Sequence, residues 1–245
     1  MIDREDDRFL AIQQAVLTLD IAAVRSELAG CKSGEVKRYV NSDEILESNG
    51  GFTLLHLACM NPSKESVSEM VDLLLRSGVD VDAKTRLGVS SLSMLAAKGD
   101  AASVRILLDA GADAAYQDET GFTTLMYATS KRPDAGAWSE THEGRLSSIG
   151  LLVAAGADVQ ARDGKGLTVL HHAAMGDDES MFFALLEMGV DLECLSVDGK
   201  KALDYGSKDF VRLVNARVLS EKLLTAMGGE DASSSPSMKP SGFSL

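Results

Sequence analysis

One phrase returns along this 245-residue chain at near-regular intervals. It reads Gly-Phe-Thr-Leu-Leu-His-Leu-Ala from Gly51 to Ala58. It comes back as Gly88-Val89-Ser90-Ser91-Leu92, as Gly121-Phe122-Thr123-Thr124-Leu125 and as Gly166-Leu167-Thr168-Val169-Leu170-His171. A worn copy runs from Gly199 to Leu203. The successive glycines stand 37, 33, 45 and 33 residues apart. A period of that size marks a chain built from one supersecondary unit that cannot bury its own apolar face, so neighbours must stack. The expected shape is an elongated solenoid with contacts only between adjacent units.

A second phrase closes each unit. It is Leu73-Leu74-Leu75 with Gly78 and Asp80, then Leu107-Leu108 with Gly111 and Asp113. It continues as Leu151-Leu152 with Gly156 and Asp158, then Leu185-Leu186 with Gly189 and Asp191. Thr53, Ser90, Thr123 and Thr168 stand where a short helix begins, so each hydroxyl can accept from an open backbone N–H, worth roughly 1 kcal/mol per cap. Leu55, Leu92, Leu125 and Leu170 follow two residues later, on the buried stripe of that helix. Ala58, Ala96, Ala128 and Ala173 fall where a neighbouring helix presses close. Gly78, Gly111, Gly156 and Gly189 fall where a second helix ends in a left-handed residue.

Together the two phrases resemble the ankyrin repeat, whose core reads T-P-L-H-x-A and whose units run 33 residues. The resemblance covers about residues 48–206, with a weaker match at 9–30. It implies an all-α solenoid of stacked helix–loop–helix units with β-hairpin-like tips. It also places His56 and His171 at the histidine of the motif, where the ring hydrogen-bonds neighbouring backbone and hydroxyls. The motif's proline is replaced throughout, by Leu54, Ser91, Thr124, Val169 and Ala202. Proline at a first helical position pre-sets the backbone, so its loss lowers stability. Ser93 and Met126 replace the histidine in two inner copies. Where related repeats carry a hydroxylated asparagine, this chain has Asp82, Ala115, Gln160 and Glu193.

The repeat divides the chain into a helical cap and connector at 1–47, an array at 48–226 and a tail at 227–245. The array holds about five units, the last a closing cap. The tail is rich in Gly, Ser, Pro and charge, a composition that predicts disorder. Its Ser235-Pro236 and Phe243-Ser244-Leu245 are short motifs for proline-directed phosphorylation and for C-terminal capture. The 45-residue spacing leaves twelve residues beyond the period, within Ser130–Leu146, and they include the only tryptophan, Trp138. Repeat insertions map to loops on one face, often the binding face.

A net charge of −13 argues against binding nucleic acid, which needs basic surface, and against docking on anionic membranes. Cys31, Cys59 and Cys194 are odd in number and far apart, so they form neither a disulfide framework nor a zinc spacing. They fit a reducing compartment, cytoplasmic or nuclear. The acidic start at Met1–Asp7 lacks the apolar stretch of a signal peptide. No cofactor or metal is expected. His171 and His172 are adjacent and do not face together on a helix. Glu140, His142 and Glu143 offer one histidine in a loop, and Gly164-Lys165-Gly166 lacks the rest of a phosphate loop.

The resemblance therefore implies a non-enzymatic, monomeric protein-binding module, a scaffold or adaptor, with its partner on the concave face. An assembly chaperone or targeting factor, or an inhibitory enzyme subunit, are the alternatives. The residue after each hairpin glycine should face that groove: Phe52, Val89, Phe122, Leu167 and Lys200. These side chains either form an apolar strip or pack on the next repeat. Met60, Arg86, Leu87, Lys98, Glu119, Thr120, Lys131 and Met175 fall around them. An apolar centre with a charged rim is the anatomy of a protein interface. Trp138 is either a lid on its own array or a binding anchor. The hairpin acids, among them Asp80, Asp113, Asp118, Asp158, Asp163 and Asp191, either hold their turns or steer a basic partner. The expected partner has an apolar helix or segment, with or without a basic flank.

Overall fold

The computed structural model describes residues 4–31, 36, 51–61, 64–130 and 142–227. Trp138, most of the connector and the tail from 228 lie outside the described residues.

Helices come in pairs. α1 (Arg4–Leu17) and α2 (Ile21–Ala29) precede the connector. The first unit holds α3 (Leu54–Met60) and α4 (Lys64–Arg76), and the second holds α5 (Ser91–Lys98) and α6 (Ala101–Asp109). The third holds α7 (Thr124–Thr129) and α8 (His142–Ala154), and the fourth holds α9 (Val169–Met175) and α10 (Glu179–Glu187). A closing unit follows, with a 3-10 turn at Ala202–Tyr205 and α11 (Lys208–Met227).

Packing sorts these helices into two rows. The inner row runs α1, α3, α5, α7, α9 and the 3-10 turn; the outer row runs α2, α4, α6, α8, α10 and α11. Each helix touches its own partner and the adjacent unit. The inner helices α3, α5, α7 and α9 are only 7, 8, 6 and 7 residues long. Isolated helices shorter than about 12–15 residues are marginal in water, so stacking and capping must hold these. Leu55, Leu92, Leu125 and Leu170 are buried between the rows, and Ala58, Ala96, Ala128 and Ala173 are fully buried where inner helices meet. Full burial of a leucine side chain contributes about 1.5–3 kcal/mol.

Hydroxyl caps form at Thr53, Ser90 and Thr123, whereas the Thr168 hydroxyl meets the His171 ring at 2.9 Å instead of capping a backbone N–H. The hydroxyl of Ser90 accepts from Ser93 N at 3.1 Å, and that of Thr123 from Met126 N at 3.2 Å. Gly78, Gly111, Gly156 and Gly189 take φ of 87°, 92°, 97° and 84°, the left-handed backbone that turns the chain from each outer helix toward the next hairpin. Just beyond, Asp80, Asp113, Asp158 and Asp191 each accept from the backbone N–H two residues on, at 2.8–3.0 Å. That is an Asx turn, and it gives these carboxylates a role in the fold.

Two motif histidines tie unit to unit. His56 Nδ1 accepts from Thr53 N at 3.2 Å, while Nε2 donates to Val89 O of the next unit at 3.1 Å. His171 repeats this with Thr168 N at 3.1 Å and Lys200 O at 3.3 Å. Where serine replaces the ring, Ser93 Oγ bridges Ser90 Oγ and Thr124 Oγ1 of the next unit, at 3.0 and 3.1 Å. Met126 keeps only the local half, with its sulfur 3.5 Å from Thr123 N.

Candidate functional site

Each of the four hairpin tips among the described residues is built by one small polar residue. Thr85, Asp118, Asp163 and Ser196 each donate their N–H to the carbonyl four residues on, at 2.9–3.0 Å. The side chain of each accepts in return from the N–H of Val89, Phe122, Leu167 or Lys200, at 2.9–3.3 Å. Asp118 and Asp163 also accept from the N–H two residues on, at 2.8 Å. Neighbouring tips join through Gly164 N to Thr120 O at 2.7 Å and Val197 N to Lys165 O at 2.9 Å. Among the described residues the tips thus form an edge of four internally bonded turns, the first tied to the second through Tyr116 OH to Gly88 O at 2.9 Å.

The inner helices reach this edge from below. Four residues past the cap stand Tyr127, His172 and Tyr205 in three successive units. Tyr127 donates to Asp118 Oδ2 at 3.0 Å, His172 Nε2 meets Asp163 Oδ2 at 3.3 Å, and Tyr205 donates to Ser196 Oγ at 3.0 Å. Burial alone would raise the Asp118 carboxyl; hydrogen bonds from Thr120, Phe122 and Tyr127 outweigh it and hold the group below its usual range. Burial lowers His172, against the pull of Asp163.

The expected apolar strip is therefore largely part of the fold. Phe122 is half-buried, its ring edge-on to Tyr127 and to His172, with centroids 4.8 Å away in each case. Phe52 is half-buried and edge-on to His56 at 6.0 Å. Val89 is half-buried, with both backbone polar groups engaged. Leu167 is only 4% exposed and offers nothing to a partner. Lys98 is a second correction. It is 1% exposed, and its ammonium donates to the carbonyls of Cys59 and Asn61 at the end of α3. A cation at a helix C-terminus offsets the partial negative charge there, so this lysine caps the preceding unit instead of rimming a groove.

Met60 and Met175 are exposed at equivalent ends of α3 and α9. Arg86 and Glu119 are exposed on their tips. Sequence reasoning undervalued two positions on the tips: Leu87, 83% exposed, and Val197, 77% exposed. Val197 holds the hairpin place of Arg86, Glu119 and Gly164, which was the available signal.

Away from the edge, Arg145 and Asp178 form a buried ion pair at 2.5 Å between α8 and the cap of α10, with His142 Nδ1 3.5 Å from the same carboxylate. Burial pushes the Cys59 thiol up to about 12, so it stays protonated at neutral pH. Among the described residues no group of three or more His, Cys, Asp or Glu is placed to hold a metal ion. Among them, too, no helix is long and apolar enough to cross a membrane.

Comparison with curated proteins gives no match. Two family models do match: ankyrin repeats (3 copies) over residues 55–138 and ankyrin repeats (many copies) over 140–186. Repeats of this kind are in general protein–protein interaction modules. The matched stretches span the four units whose caps, linking histidines and hairpin turns are described above, and the chain belongs to the ankyrin-repeat family.

Proposed function

We propose that the chain is a non-catalytic scaffold or adaptor that holds a protein partner along its hairpin edge and the open side of its inner helices. One observation carries this reading. Leu87 and Val197 on the tips, with Met60 and Met175 on the inner helices, are exposed apolar side chains. Apolar anchors amid polar surroundings are what protein interfaces use, and methionine adapts to irregular partners. The remaining contact set is Arg86 and Glu119 at the rim, with the outer edges of Phe52, Val89 and Phe122. Trp138, on the insertion of the third unit, adds an anchor. Because the tips are held by their own hydrogen bonds, binding orders little backbone, which reduces its entropic cost.

A photo-activated cross-linker placed at Leu87 or Met175 tests the reading, with Arg105 on the exposed side of α6 as control. The two surface positions should capture the same discrete protein from a cell extract and the control should not. Equal capture from all three, or from Arg105 alone, would remove the proposed surface.

A further inference from the structure

Four hairpins among the described residues carry a small excess of basic side chains, against the acidic balance of the chain. Bridges Lys84–Ser90 and Gln117–Thr123 bound two of the hairpins, and the same register bounds the others at 162–168 and 195–201. These four segments carry six basic and four acidic side chains, within a chain of net charge −13. Two of the four acids, Asp118 and Asp163, are turned into their own hairpins, where they accept backbone and side-chain hydrogen bonds. The exposed charges left on the edge are Lys84, Arg86, Arg162, Lys165, Lys200 and Lys201 against Glu119 and Asp198. Of these, Arg162 is bound to the carbonyls of Gly166 and Leu195, Lys201 pairs with Glu193, and the ammonium groups of Lys84 and Lys200 lie over the rings of Tyr116 and Tyr205, at 4.0 and 5.6 Å from the centroids. Leu87 and Val197 stand out near the two ends of this row.

We propose that the edge receives an acidic segment of the protein partner, with an aliphatic side chain toward each end and carboxylates over Lys165 and Lys200 in the half nearer Val197. This rests on the protein-binding reading above and adds the chemistry of the partner. Stacked helices lie 8–10 Å apart, so three layers place Leu87 and Val197 on the order of 25–30 Å from each other, the reach of about eight extended residues. Complementary rim charge sets the association rate and excludes wrong partners. The hairpin acids raise the expectation of a basic partner; the proposal sets against it that Asp118 and Asp163 are engaged within their own hairpins, which leaves Glu119 and Asp198 as the exposed acids of these segments.

Selection of a random ten-residue peptide library on the full chain tests this. Enriched peptides should be rich in Asp and Glu, with aliphatic residues near both ends. Their affinity should fall at least tenfold on the Lys165→Glu/Lys200→Glu double variant, and also as salt is raised. Both lysines are exposed, so the variant should keep the thermal midpoint of the wild type; single Leu87→Ser supplies an independent loss if it does not. Neutral or basic winners, affinity indifferent to the charge reversal, or no enrichment at all would overturn the acidic-segment proposal. Cross-linking from Leu87 and Met175 would still stand or fall separately, so the two readings fail in different ways.

Discussion

The imidazole Nε2 of His56 donates to the carbonyl of Val89, 33 residues away and one unit on, at 3.1 Å. This bond joins the end of an inner helix's cap to the tip of the next hairpin. It requires a neutral ring with its proton on Nε2, since Nδ1 accepts from Thr53 N. Burial holds the His56 pKa down, from 6.5 to about 4, and lowers His171 in the same way. The unfolded chain takes up these protons first. Stability is therefore complete above about pH 6.5 and falls as pH drops toward 4, by on the order of 3 kcal/mol for His56. Urea midpoints measured between pH 7.5 and 4.5 should show that decline. A His56→Gln/His171→Gln variant should be less stable at pH 7.5 but flatter with pH; an unchanged acid slope would contradict the assignment.

Arg145 stands 11 residues before Gly156, where Asp100 and Asp178 stand 11 before Gly111 and Gly189. Its buried bond to Asp178 joins the third and fourth units. Removing Arg145 leaves the buried Asp178 carboxylate with only the part-exposed His142 beside it, so Arg145→Ala should cost about 3–5 kcal/mol. Chemical denaturation reads this directly. A loss under about 1 kcal/mol would mean that the pair behaves as a surface one.

Outer-loop side chains make a second seam. Asp82 accepts from Asp113 N at 3.0 Å, and Gln160 accepts from Asp191 N at 3.2 Å while donating to Gly189 O at 2.8 Å. Ala115 holds the corresponding place between the second and third units and has no side chain to reach across. Ala115→Gln should add the missing link to Asp158 and Gly156, raising stability by about 0.5–1.5 kcal/mol. No gain in melting temperature would show that this seam is already closed.

Gly121 and Gly111 share a left-handed backbone, with φ of 77° and 92°, but differ in surroundings. A Cβ at Gly121 would lie 3.1 Å from Gly164 N of the next hairpin, whereas one at Gly111 would meet nothing within 4 Å. Gly111→Ala should cost only the backbone strain, about 1–2 kcal/mol. Gly121→Ala should cost more, because it also wedges two tips apart. Equal losses would imply that neighbouring tips do not touch.

Much of the fold was legible because each unit repeats the same local instructions. Thr53, Ser90, Thr123 and Thr168 name helix starts, and Gly78, Gly111, Gly156 and Gly189 name helix ends, independent of distant sequence. The partner surface was harder to read, because exposure there depends on the neighbouring unit. Phe122 looked open until Tyr127 and His172 closed on it from two helices. Lys98 looked like a rim charge because nothing local reveals that the end of α3 presents two carbonyls to it. The His172 and Lys98 contacts cross unit boundaries, and the repeat register, aligned column by column, is what brings them into view.

Hydrogen exchange on the full chain, with and without the cross-linked partner bound, reads out whether the hairpin edge carries that partner. Amides of 84–90, 117–123, 162–168 and 195–201 should gain protection in the complex, along with the ends of α3 and α9 near Met60 and Met175, while α4, α6 and α10 stay unchanged. Protection confined to the outer row, with the hairpin edge exchanging as in the unbound chain, would contradict that placement.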